Sequence, residues 1–236
     1  MRIETMFRSL RIPSLVGIVA ALLLSIGSAW AADEGPGYAT LSPPVPTATG
    51  DQVEVVEVFS YTCPHCWHLE PMMASWVGTK PEGVVFRRQP GTGGRWDPQA
   101  RAYYAAESLG KLDVFHPALF KAMQVDRRPI LKEDDLVKFA GEIGIDEKEF
   151  RAAYNSFTVE TKLRKATDLS TRYGIDGVPA VIVNGKYRTS PAQTNGPEPM
   201  FAVLNTLVAQ EIAAKAPAAP AAAVPAAAPA AAAQPK

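Results

Sequence analysis

Residues 52–60, QVEVVEVFS, alternate nothing: apolar and β-branched side chains fall on both faces, which predicts a strand buried inside a sheet. Helical spacing takes over at once. Leu69, Met72, Met73, Trp76 and Val77 recur at intervals of three and four and form one apolar stripe. Pro64 suits a first helical position with Cys63 as N-cap, and Pro71 inside the helix predicts a kink. EGVVFRRQ (82–89) reads as the next strand. From Asp97 to about Arg172 the pattern is helical almost throughout, with DPQARAYYAAESLG carrying an Asp N-cap, Pro at the first position and Gly at the stop. VPAVIVNGKYRT (178–189) returns to strands, with Asn184-Gly185 as a hairpin turn, and 197–213 closes as a helix. This order describes an α/β domain divided by a block of helices.

Both ends read differently. Arg2, Arg8 and Arg11 precede an apolar run from Leu15 to Ile26, followed by Ala29-Trp30-Ala31, the pattern of a cleaved signal peptide over 1–31. The run is short for a bilayer span, which needs about 20 residues. Export places the chain where disulfides persist. Residues 32–51, rich in Pro, Gly and Thr, read as an extended leader, and 214–236 as a disordered Ala/Pro-rich tail. Formal net charge is zero, and removing 1–31 leaves about −2, so no nucleic-acid partner is expected.

Cys63 and Cys66 are the chain's only cysteines. Zinc would need further spaced ligands, and His65 and His68 crowd the pair. Covalent haem would need His at 67, where Trp stands. A structural staple across so small a loop stabilises little. A redox-active pair at a helix N-terminus explains more, because free N–H groups there favour a thiolate. No metal or organic cofactor is expected.

Cys63-Pro64-His65-Cys66 after an apolar strand, with Val178-Pro179 about 110 residues downstream and EFRAAYNSF between, resembles the DsbA family of thiol:disulfide oxidants in the thioredoxin superfamily. The resemblance implies a thioredoxin-like fold with a helical domain inserted between its two halves: 52–92, then the insertion 93–166, then 167–213. It implies a Cys63–Cys66 disulfide, with Cys63 as the exposed sulfur and Cys66 as its buried partner. Pro64 and His65 would tune the pair. Glu57, on the same strand face as Val53, Val55 and Phe59, would be a buried acid relaying a proton to Cys66; Glu54 lies on the other face. Pro179 would follow a cis bond, and Val178 would offer its backbone to an extended substrate. Reduced exported proteins and a membrane oxidase of the DsbB type would be the partners of a periplasmic monomer. Reductase or isomerase action on the same fold, or a non-catalytic binding module, are the rival readings. Trp67 reads as core or as part of an apolar patch, and His116, in FHPALF, as structural.

Overall fold

The first buried strand organises everything else. In a computed structural model describing residues 34–215, β3 (Val53–Phe59) is buried at all seven positions. It pairs in parallel with β4 (Val84–Pro90) and antiparallel with β5 (Ala180–Val183), which turns back into β6 (Tyr187–Thr189). The turn between the last two has Asn184 and Gly185 at φ 50° and 63°, and the Lys186 N–H donates to the Val183 carbonyl at 2.9 Å. Positive φ at both positions is what Asn-Gly tolerates and β-branched residues do not.

The leader is not merely extended. Its β1 (Glu34–Gly35) and β2 (Tyr38–Thr40) form a small hairpin, and β2 pairs antiparallel with β6. The sheet order is β1-β2-β6-β5-β3-β4. Strands of two and three residues are too short to show a period, so composition alone suggested a leader there. The expected signal segment 1–31 lies outside the described residues, as does the tail from 216.

Helix α1 (Pro64–Thr79) begins at Cys63, as its N-cap, and runs through Pro71 without interruption. Its Leu69, Met73 and Trp76 are buried against Val53, Val55, Val181 and Val183 of the sheet, together with Met200, Leu204, Leu207 and Val208 of the closing helix. Met72 and Val77 are only half-buried. The opposite face of the sheet, Val56, Val58, Ala180 and Ile182, packs on Leu169 and Tyr173. The result is a sheet covered on both faces, the arrangement that a strand apolar on both sides requires.

After a 3₁₀ turn at Gly94–Trp96 come α2 (Asp97–Ser108), α3 (Leu112–Gln124), α4 (Glu133–Glu142), α5 (Glu147–Tyr154) and α6 (Phe157–Arg172). Asp97 is the first residue of α2 rather than its cap; its carboxylate accepts from Gly93 N–H at 2.7 Å. The helices share one apolar cluster that reaches Phe59, Tyr61 and Cys66 at the end of the sheet. A short α7 (Pro191–Thr194) and the long α8 (Pro197–Lys215) complete the described chain. Helix α6 crosses the expected division at 166/167 unbroken: Val159 and Ala166 belong to the helical cluster, while Leu169 packs on the sheet. The insertion is thus fastened to the sheet by a continuous rod.

Candidate active site

Strand β3 ends at Phe59, and Cys63 stands four residues on, at the start of α1. This loop-to-helix step aims the first-turn N–H groups at the Cys63 sulfur. Pro64, at the first helical position, and His65 are exposed; Cys63 is half-buried and Cys66 fully buried. Both thiols are free in this structure, which is the dithiol form of the pair.

The two sulfurs differ sharply. The Cys63 thiol is lowered from its ordinary 9.0 to about 6, first by the hydrogen bond from the Cys66 thiol. Partial burial opposes this, while backbone N–H groups of Cys66 and His65 and the His65 imidazole assist it. Cys66 is driven far above the ordinary thiol range by its burial, and then by its bond to Cys63 and the negative charge there. One thiol of the pair is therefore an anion at neutral pH and the other holds its proton.

Across from α1 lies the loop entering β5. The Val178–Pro179 peptide bond is cis, as is Ser42–Pro43, which the sequence did not flag. The Cys63 Sγ lies 3.3 Å from the Val178 carbonyl oxygen, which can accept from it only while Cys63 is protonated. Val178 is half-buried and Pro179 buried.

Glu57 lies wholly inside the protein, and its carboxyl is raised from 4.5 to about 8. Burial is the main cause and the nearby Glu70 charge adds to it; Arg88 pulls the other way through charge and hydrogen bond. Its Oε2 accepts from Arg88 Nε at 3.0 Å, whereas Oε1 has no partner. Glu57 is among the groups whose charge raises Cys66, so the carboxyl and the buried thiol sense each other.

Sequence reasoning passed over Arg88, Glu70 and Tyr61, and read His116 as merely structural. The four are one polar cluster, joined to Glu57 through Arg88. Part of it had a signal. Glu54 and Glu57 are three apart and so face opposite sides of β3; Arg87 and Arg88 are adjacent and so face opposite sides of β4. The parallel register sets Glu57 beside Arg88, and Arg87 reaches Glu54 at 3.0 Å on the other face. Charged pairs in two apolar strands were the clue. Trp67 leans on the helical cluster, its ring 6.0 Å from that of Phe120.

A mixed sheet with helices on both faces, a thiol pair of opposed acidity at a helix N-terminus and an adjoining proline loop define a dithiol exchange site on a thioredoxin-like fold. Comparison with known proteins narrows this. The family of the DSBA-like thioredoxin domain matches residues 79–208. The thiol:disulfide interchange protein DsbA of Azotobacter vinelandii is 38% identical over 182 residues, covering 77% of this chain and 85% of its own. The crystal structure of Pseudomonas aeruginosa DsbA superposes with a TM-score of 0.73 at 35% identity, covering 76% of this chain and 94% of that one. Proteus mirabilis DsbA, solved with a non-covalently bound peptide, gives 0.64 at 30% identity, with 76% and 97% covered. The chain belongs to the DsbA family, and it is a thiol:disulfide oxidoreductase.

Proposed function

We propose that Cys63 and Cys66 form the disulfide that this oxidoreductase donates to reduced, newly exported proteins. The observation that carries this is the opposed acidity of the two thiols. A stabilised Cys63 thiolate is a good leaving group, and stabilising the reduced form makes the disulfide a ready oxidant. A substrate thiolate attacks Cys63 Sγ; the S–S bond breaks and its electron pair goes to Cys66 Sγ, which takes a proton. A second substrate thiolate then attacks the substrate sulfur of the mixed disulfide and expels Cys63 as a thiolate. The substrate leaves oxidised and the protein is left as the dithiol.

Glu57 is the proton source for Cys66. A value near 8 lets it hold a proton at neutral pH and release it to a strongly basic sulfur. Val178 presents its backbone to an extended substrate segment, as an added strand would need; the peptide complex of the Proteus relative fits this reading. His65 tunes Cys63 electrostatically, and Pro64 sets the first turn of the helix. Reoxidation would fall to a membrane oxidase of the DsbB type, in the periplasm that the N-terminal signal pattern points to.

The test is redox equilibration of the protein with glutathione buffers. A disulfide markedly more oxidising than the glutathione couple is expected; one as reducing as thioredoxin's would replace disulfide donation with reductase action. Cys63→Ser must abolish exchange.

A further inference from the structure

Five polar side chains from five parts of the fold form a continuous line that ends at Glu57. Arg88 Nε donates to Glu57 Oε2 at 3.0 Å, and Arg88 Nη2 to Glu70 Oε2 at 3.1 Å. The other Glu70 oxygen lies 3.2 Å from His116 Nε2, and His116 Nδ1 lies 2.8 Å from the Tyr61 hydroxyl. Donor rules orient the line. A carboxylate in an ion pair accepts only, so His116 carries its proton on Nε2 and gives it to Glu70. The lone pair on Nδ1 must then receive the Tyr61 O–H. This assigns the neutral Nε2–H tautomer, in keeping with burial lowering His116 below its ordinary 6.5.

The imidazole has little freedom. Phe59, Phe120 and Tyr103 meet it edge to face, with ring centres at 4.9, 5.1 and 5.9 Å. The titratable or charged groups facing it are Tyr61 from the loop after β3, Glu70 from α1, Arg88 from β4 and Tyr103 from α2. Those facing Glu57 are Cys66 and Glu70 from α1, Arg88 from β4 and Tyr103 from α2. Glu70, Arg88 and His116 also line a cleft of about 880 Å³ that neither cysteine nor Val178 borders. Glu57 itself is sealed away from that cleft.

The guanidinium is therefore shared. Were it committed to Glu57 alone, a buried ion pair would hold Glu57 as an anion and leave it no proton to give. Glu70 competes for it, and Glu70 stays within reach only because its other oxygen is anchored. From this geometry we infer that His116 is a positioning residue of the exchange centre: its Nε2–H anchors Glu70, and the anchored Glu70 draws part of Arg88 away from Glu57. The inference rests on the reading of Glu57 as proton source for Cys66. Without the anchor, Glu70 relaxes toward water in the cleft, Arg88 closes on Glu57, and Glu57 becomes the weaker base.

Carboxyl ¹³C NMR of the reduced full-length protein tests this, with the Glu57 signal assigned by its loss in Glu57→Gln. In His116→Phe, which keeps an aromatic ring and removes both ring nitrogens, the Glu57 midpoint should fall by about one pH unit, tenfold in proton affinity. Tyr61→Phe, one hydroxyl lighter, should move it the same way by less. His116→Gln, whose amide can donate to Glu70, should restore most of the wild-type value. A purely structural His116 would lower thermal stability in all three and leave the midpoint in place. A midpoint unmoved or raised in whichever of His116→Phe and Tyr61→Phe folds overturns the inference. The exchange rate of Glu57→Gln separates the two readings: an unchanged rate removes the proton-relay role itself, whereas a slowed rate with unmoved midpoints removes only the role of His116.

Discussion

Lowering the pH from 8 to 5 should strip one identifiable contribution from the stability of the reduced protein. Folding depresses the Cys63 thiol from 9.0 to about 6, so between those values the unfolded chain binds the proton and the folded chain does not. A depressed value stabilises fully above the unfolded value and is lost as pH falls through the folded one. At about 1.4 kcal/mol per pH unit, the difference is about 2.7 kcal/mol at pH 8 and close to nothing at pH 5. Cys63 is only half-buried and water screens its surroundings, so about 1–2 kcal/mol should be observed.

The assay is urea unfolding of the reduced protein across this range, with reduced Cys63→Ser as the reference that lacks the titrating thiol. The gap between the two should shrink steadily toward acid. Ultraviolet absorbance of the thiolate, followed in the same buffers, should give a midpoint about 6. A gap that stays constant from pH 8 to 5, or a thiolate that forms only near 9, would refute the reasoning, because the helix N-terminus and the Cys66 thiol would then not be stabilising the anion.

Other substitutions probe the same chemistry and its frame. Cys66→Ala removes the strongest support of the Cys63 thiolate and should raise its titration by about one pH unit or more, read from the pH dependence of alkylation; Cys66→Ser keeps a donor and should raise it less. Glu57, lifted from 4.5 to about 8, favours the folded state most below 4.5 and progressively less as pH rises to 8. In the oxidised protein, where no thiol titrates, Glu57→Gln should flatten that decline by about 2 kcal/mol in urea unfolding. Gly185→Ala puts a Cβ onto the Val45 carbonyl oxygen at a φ of +63°, and should lower the urea midpoint by the equivalent of about 2–4 kcal/mol.

How much of this was legible follows from how far apart in the chain the cooperating residues lie. Cys63, Pro64, His65 and Cys66 are contiguous, so their chemistry is local and the motif exposes it; the helix start that lowers Cys63 is part of the same stretch. Glu57 was readable because a carboxylate inside an apolar strand is costly and needs a reason. The partners that make it useful were not. Arg88 comes from the next strand, Glu70 from the middle of α1 and His116 from the helical insertion, and only packing brings them into one line. His116 in particular sits in an apolar run that reads as core, and it is core by burial; its role depends on which two atoms meet its nitrogens. The same distinction accounts for the frame. Five apolar residues among seven buried positions declare β3, whereas β2 exists because β6 offers it a free edge. The helical insertion also contributes His116 to the polar line that ends at Glu57, so on the proposed reading of Glu57 as proton source the proton chemistry of the exchange site would depend on the correct docking of a domain that carries neither cysteine.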